Sequence, residues 1–273
     1  GLGRGGRGRR RLRRGPARPL RMSVLSGDAN AGAVALVTGG GTGIGRATAL
    51  ELGRTGARVV ICGRREEPLE QTRAELEAMG ADCLARPTDI REPEECEALV
   101  EEALAAFDRI DILVNNAGGQ FTAPAEEITL KGWRAVHRLA VDATWQLTRS
   151  VAVRSMIPNR KGVIFFNAFS PRRGIAGYAH AASARAALEN LAGSLATEWG
   201  PHGIRVIALA LGNIRTEGLE GYGDDIEKMA AEVPLGRLGT AEEVAQVTAF
   251  LASPGARYVS GTTVTIDGGL DAV

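Results

Sequence analysis

From residue 33 onward, short aliphatic runs alternate with longer amphipathic stretches. The runs at 33–38 (AVALVT), 57–63 (ARVVICG), 110–115 (IDILVN), 162–167 (GVIFFN), 204–211 (IRVIALAL) and 262–266 (TTVTI), with a further short one ending near Pro87, are apolar at consecutive positions. Strands buried on both faces have that pattern, whereas a strand with one wet face alternates. Helical periodicity covers 43–55, 67–79, 93–107, 131–156, 179–199 and 241–251, and 216–234 reads as irregular or short-helical. Seven apolar strands joined by helices predict one α/β domain, with a parallel sheet covered on both faces and doubly wound by right-handed crossovers. No repeat or linker within 33–273 divides it.

Composition changes this picture at one end. The 273 residues, 44% of them hydrophobic, suffice for one large core, and no apolar run approaches the ~18 residues of a membrane span, so a soluble protein without a membrane partner is expected. The formal charge of +1 hides an asymmetry. Residues 1–21 carry nine Arg and no acid, and without them the charge is −8. This Gly/Arg-rich segment has no apolar periodicity, and 1–32 is expected to be a disordered basic leader. A nucleic-acid arm and a transit peptide are competing readings. An accident of where the chain starts is preferred, and no nucleic-acid partner is expected. Cys62, Cys83 and Cys96 form no metal-binding spacing, and an odd count in a chain this long suggests reduced thiols and a cytoplasmic setting.

The first strand runs directly into Thr38-Gly39-Gly40-Gly41-Thr42-Gly43-Ile44-Gly45, where a helix begins. Glycines there permit a tight turn and let backbone amides approach a diphosphate, and the helix N-terminus adds unpaired N–H groups and a positive dipole end. Gly39, Thr42, Gly43 and Ile44 are therefore candidate contacts to a dinucleotide, because the loop sits between a strand and a helix.

The TGxxxGIG spacing of this loop, Asn115-Asn116-Ala117-Gly118 after the fourth strand and YVSGTTVTIDGG at 258–269 together resemble the short-chain dehydrogenase/reductase family over about residues 33–270. The resemblance implies a single Rossmann domain, a nicotinamide cofactor, a small-molecule substrate and a homotetramer with the 131–156 and 179–199 helices at its interface. It further implies adenine contacts at Asp89 and Ile90, cofactor contacts at Asn116, Ala117 and Gly118, and carboxamide contacts at Ile214 and Thr216. Residues 217–234 become the expected lid. An NAD enzyme of this fold ends its second strand on an acid that takes the ribose 2′-hydroxyl. Gly63 stands there and Arg64 follows, so NADP(H) is favoured over NAD(H), with Arg64 pairing the 2′-phosphate.

The chemistry end departs from the family pattern. The family's Asn, Ser, Tyr and Lys fall, by spacing, on Ala140, Ala168, Ala181 and Arg185. Alanine moves no proton, so a ketoreductase relay through that Tyr is not expected, while the Arg185 guanidinium can still donate hydrogen bonds. Segments 115–136 and 180–186 resemble peroxisomal trans-2-enoyl-CoA reductases, and 170–174 resembles citronellol/citronellal-type dehydrogenases. In dienoyl-CoA reductases the acid Tyr lies fifteen residues before the Lys, which is Ser170 here. Arg185, Ser170 and Tyr178 are accordingly the catalytic candidates, with His180 a further acid–base candidate and Arg172, Arg173 and Arg215 candidates for an acyl-CoA phosphate. The resemblance implies hydride transfer to an enoyl-CoA-like or enal/terpenoid substrate. A catalytically impaired NADP(H)-binding paralogue and a citronellol-type alcohol dehydrogenase remain open.

Overall fold

In a computed structural model of the chain, the described residues are 25–170, 174–220 and 226–272. The seven strands lie where the sequence predicts them: β1 (Val34–Thr38), β2 (Arg58–Gly63), β3 (Cys83–Pro87), β4 (Ile112–Asn115), β5 (Gly162–Phe169), β6 (Ile204–Leu211) and β7 (Thr262–Ile266). All pair in parallel in the order β3-β2-β1-β4-β5-β6-β7.

Side chains alternate across each strand, and both faces are dry. Leu36, Val60, Phe166 and Val206 pack beneath helices α3 (Pro93–Phe107), α4 (the helical run over 130–159) and α5 (Ala179–Trp199). Their neighbours Val37, Ile61, Phe165 and Ile207 pack on the other face, beneath α1 (Gly43–Arg54), α2 (Glu66–Ala78) and α6 (Ala241–Ala252). Two covered faces explain why the strands read as continuous apolar runs. Burying a Phe or Leu stabilises by ~1.5–3 kcal/mol, so these two layers dominate what holds the sheet together.

Two details differ from the sequence expectation. The long helix is not uniformly α: it widens into π turns at Arg138–Asp142 and Ala152–Met156. Residues 25–32, expected in the disordered leader, pack against the domain instead. Asn30 is buried, and its amide donates to Thr55 Oγ1 at 2.9 Å and to the Ala249 carbonyl at 3.1 Å, tying 25–32 onto α1 and α6. The Arg-rich residues 1–21 lie outside the described residues.

Strand order reverses at β1, whose neighbours are β2 on one side and β4 on the other. Connections from β1 and β4 leave in opposite directions, and a crevice opens at their C-terminal ends. That crevice is a cleft of about 1060 Å³. The segment after Thr216 reaches over it, and a short parallel pairing of Ile214–Arg215 with Gly239–Thr240 fixes the segment's base.

Candidate active site

The first wall of the cleft is the turn from β1 into α1. Gly39 has φ +66° and Gly43 φ +52°, values costly for any side chain. A Cβ on Gly45 would lie 2.1 Å from the Gly39 carbonyl oxygen and 2.4 Å from Asn116 Nδ2. Thr42 precedes α1 without a side-chain cap, and the first turn of α1 holds no acid. The helix end keeps unpaired N–H groups and a bare positive dipole, an arrangement that suits an anion. Gly39, Thr42, Gly43 and Ile44 all line the cleft here.

The second wall is the tip of β2 and the turn after β3. Arg64 and Arg65 are exposed guanidiniums on the rim, and Asp89 and Ile90 stand opposite. The Asp89 carboxylate is gripped by Arg91, whose Nε donates at 2.8 Å and whose backbone N–H donates at 3.1 Å. Arg91's hydrogen bonds hold the Asp89 carboxyl well down, at about 2. Sequence reasoning missed this partner. Cys62, on the floor, has its thiol pushed up to about 12 by burial and is inert at neutral pH.

The third wall joins β4, β5 and α5. Thr38 Oγ1 accepts the N–H groups of Asn116 and Ala117 at 3.0 and 2.9 Å, which locks the turn after β4 to the end of β1. Arg185 is buried at the foot of the cleft, and its Nη1 donates to the Asn167 carbonyl at 2.7 Å. Its guanidinium lies 5.6 Å from the centre of the Phe169 ring. A Cβ on Gly118 would come within 2.0 Å of Arg185 Nη2, so that glycine admits the guanidinium against the backbone.

Ser170 and Tyr178 share this wall. The Ser170 hydroxyl donates to the Asp267 carboxylate. Burial pushes the Asp267 carboxyl up, but this bond and N–H donors from Asp271, Gly269 and Leu270 together hold it below the usual carboxylate range. The Ser170 proton is thus committed to Asp267, so this catalytic candidate has no free proton to offer a substrate. The Tyr178 hydroxyl is hydrogen-bonded to Thr122 Oγ1 at 2.6 Å. Tyr178 is the residue before the first turn of α5, so it stands at the helix end rather than within it. Ile214 and Thr216 complete the far side, with Thr216 close against Gly43.

The sequence model of the family described as Enoyl-(Acyl carrier protein) reductase matches residues 39–271. A probable 2,4-dienoyl-CoA reductase, (2E)-enoyl-CoA-producing, of Bacillus subtilis is 38% identical over 240 residues, covering 86% of this chain and 94% of that protein. The peroxisomal 2,4-dienoyl-CoA reductase, (3E)-enoyl-CoA-producing, of Danio rerio is 36% identical, covering 90% and 84%. Among solved structures, a citronellol catabolism dehydrogenase of Pseudomonas aeruginosa superposes with a TM-score of 0.82 at 38% identity, covering 91% of this chain and 99% of that one. A putative NAD(P) dependent gluconate 5-dehydrogenase from Beutenbergia cavernae, with bound NADP at low occupancy, gives 0.83 at 36% identity, covering 89% and 98%. The chain belongs to the short-chain dehydrogenase/reductase family of oxidoreductases.

Three of the family's four catalytic positions are alanine here, and the structure shows what fills the space. Ala140 and Ala181 are buried with Val136 and Ala184 in an apolar cluster, with Phe169 and Tyr178 packed against it. Ala168 is buried in the cleft wall. His180 does not reach the cleft. It is fully buried, its ring tilted by 35° against Phe121 with ring centres 4.2 Å apart. Burial, then the neighbouring His137, keeps its pKa below the ordinary value. Of the arginines proposed for a CoA phosphate, Arg215 is exposed, while Arg172 and Arg173 lie outside the described residues. Among the described residues no helix is long and apolar enough to cross a membrane, and no group of acidic, His or Cys side chains is placed to hold a metal.

Proposed function

We propose that this oxidoreductase uses NADP(H) to reduce a C=C bond conjugated to a carbonyl, in an enoyl-CoA-like or enal/terpenoid substrate. The observation that carries the reading is Arg185: a buried guanidinium in the cleft, where spacing puts the family's Lys, in a chain with alanine at the other three positions. A carbonyl next to the acceptor bond develops negative charge on its oxygen as the β-carbon is reduced. A fixed guanidinium in a dry site stabilises that charge. It needs no proton exchange with a Tyr.

The cofactor's fit rests on the uncapped N-terminus of α1, the close glycine approaches around it and the absence of an acid at Gly63. In this reading the Gly39–Ile44 amides hold the diphosphate, Arg64 the 2′-phosphate and Asp89 with Ile90 the adenine. Asn116, Ala117 and Gly118 flank the ribose, and Ile214 with Thr216 holds the carboxamide. NADPH bound there supplies the hydride. Arg185 orients and polarises the carbonyl, and the Tyr178 hydroxyl is the group placed to give the α-carbon its proton. The segment 217–234, whose Leu219, Lys228 and Met229 line the cleft, serves as the lid. Residues 221–225 of it lie outside the described residues. Three free thiols fit a reducing cytoplasm, and exposed Trp145 and Val153 on α4 suit a homo-oligomer such as a tetramer.

NADPH consumption with crotonyl-CoA or longer 2-enoyl-CoAs tests the proposal. Absence of turnover across enoyl-CoA, enal and ketone panels overturns it. A second reading, a nucleotide-binding relative that has lost its chemistry, draws on the apolar packing around Ala140 and Ala181. NADPH binding without any turnover selects it. The likeness to the citronellol catabolism dehydrogenase supports a third outcome, NAD(P)-linked oxidation of a terpenoid alcohol, which the same panel run in reverse detects.

A further inference from the structure

Among the described residues, buried side-chain atoms without a hydrogen-bond partner occur at Thr48, Asn115, Asn167 and His180, and of these residues only Asn167 belongs to the cleft wall. Orphaned acceptors of this kind are uncommon and costly in native proteins, so each asks for a reason. Asn167 was no part of the sequence reading, because an Asn near the end of a buried strand carries no signal of its own.

The chain of amides leading to it fixes which atom is orphaned. The Thr38 backbone carbonyl can only accept, so the end of Asn116 that meets it at 2.9 Å is Nδ2. Asn116 must then turn Oδ1 to its other neighbour, and Asn167 meets that oxygen at 2.9 Å with its own Nδ2. Asn167 Oδ1 is left as the terminal acceptor, closed to water and unpartnered. A flipped Asn167 amide would set two oxygens against each other, so the usual ambiguity of amide orientation does not apply. The main-chain carbonyl of the same residue takes Arg185 Nη1 at 2.7 Å.

Asn167 and Arg185 line the same cleft wall, so a group bound against both meets an acceptor from the one and a cationic donor from the other. A carboxylate or phosphate suits the guanidinium but repels the amide oxygen. An ammonium does the reverse. A hydroxyl suits both, because it accepts from Arg185 through a lone pair and donates its proton to Oδ1. We infer that Asn167 is a ligand-binding residue whose Oδ1 accepts a hydrogen bond from a hydroxyl, either of the nicotinamide ribose or of the substrate, with Arg185 donating to the same oxygen. The inference rests on the proposed NADP(H) function and adds to it a contact that the loop motif does not contain.

Calorimetric Kd values for NADPH, taken on the wild type, Asn167→Leu, Asn167→Asp, Asn116→Ala and the Asn116→Ala/Asn167→Leu double variant, test it, with thermal melts confirming that each variant folds. Loss of one neutral hydrogen bond corresponds to a weakening of about two- to tenfold for Asn167→Leu. Asp keeps the acceptor but cannot donate to Asn116, so Asn167→Asp should recover most of the binding while melting lower than the wild type. An NADPH analogue lacking a nicotinamide-ribose hydroxyl identifies the source. If the ribose donates, the analogue's loss on Asn167→Leu is smaller than its loss on the wild type by that factor, the remainder being the bond from Arg185. If the substrate donates, the NADPH Kd stays fixed, and the substrate KM of Asn167→Leu rises by that factor at unchanged kcat. The inference is overturned if Asn167→Asp binds as poorly as Asn167→Leu, or if the Leu effect vanishes in the Asn116→Ala background, since Asn167 would then only prop its neighbour. It is also overturned if the wild type binds NADPH and no variant differs in Kd or KM. A wild type that binds no NADPH removes the cofactor reading along with it.

Discussion

The two ends of the cleft are built on opposite logic. Under α1, groups that could have been satisfied locally are left open: Thr42 offers no side-chain cap, the first helical turn holds no acid, and Gly45 keeps the backbone accessible. Helix α6 shows the alternative, with a full capping box between Thr240 and Glu243 and acids in its first turn. Helices α2 and α3 also lack a side-chain cap but carry acids in their first turns, so the positive end of α1 is barer than theirs. Beneath α5, the polar groups expected of the family have been replaced by alanines that pack together, and one buried guanidinium remains. In the proposed function the two ends are separable within one fold: the α1 end holds the cofactor, and Arg185 takes over where the family's proton relay is missing.

That contrast breaks most sharply at Arg185. Arg185→Met should lower kcat/KM for an active enoyl substrate by about 10²–10³, the range for losing one oxyanion donor, while the NADPH Kd moves much less. Arg185→Lys should restore part of the rate, because the charge returns without the planar fork. Equal losses in Kd and rate would mean that Arg185 belongs to the binding end. At the other end, Gly45→Ala drives a Cβ into the Gly39 carbonyl and Asn116, and overpacking of ~1–3 kcal/mol should weaken NADPH binding toward 100-fold. Equilibrium titration reads this, and an unchanged Kd would show that the loop does not carry the nucleotide. Arg64→Ala sharpens the cofactor question. A charged hydrogen bond worth ~1.5–3 kcal/mol predicts a weaker NADPH Kd by about ten- to a hundredfold, with NADH unaffected. Parallel loss of both nucleotides would place Arg64 elsewhere than at a 2′-phosphate.

How much of this was legible beforehand follows the same division. The strands and the loop after β1 are written in local patterns, apolar runs and glycine spacing, that have few alternative outcomes. The emptied positions Ala140, Ala168 and Ala181 were legible by spacing along helices and one strand. What escaped were pairings between residues distant in sequence. Ser170 gives its proton to Asp267 because β5 and β7 flank β6, a neighbourhood no local pattern records. The Arg91–Asp89 pair is the local exception, two residues apart, and residue type alone does not record that the turn after β3 brings the two side chains together. His180 has the intrinsic pKa of an acid–base residue but begins α5 with its ring against Phe121, away from the cleft. Residue type suggested chemistry at these sites, and three-dimensional partners decided it.

The smallest effect separates support from catalysis. His180 has both ring nitrogens buried without partners, and burial together with His137 lowers its pKa. The unfolded chain titrates near the ordinary value of about 6.5, above the folded value, so on acidification it takes up the proton first. Stability conferred by keeping this imidazole neutral is therefore present at neutral pH and is lost as pH falls below about 6.5 toward the folded pKa. Melting temperature against pH should fall more steeply on the acid side for the wild type than for His180→Phe, whose apolar ring leaves no nitrogen unpaired, and the two slopes should match above about pH 7. Because His180 stays out of the cleft wall, His180→Phe should leave in place the limb of the kcat profile that falls as pH rises and the proton donor ionises. A kcat limb that disappears with the histidine would move proton transfer from Tyr178 to His180 and join the supporting layer to the chemistry.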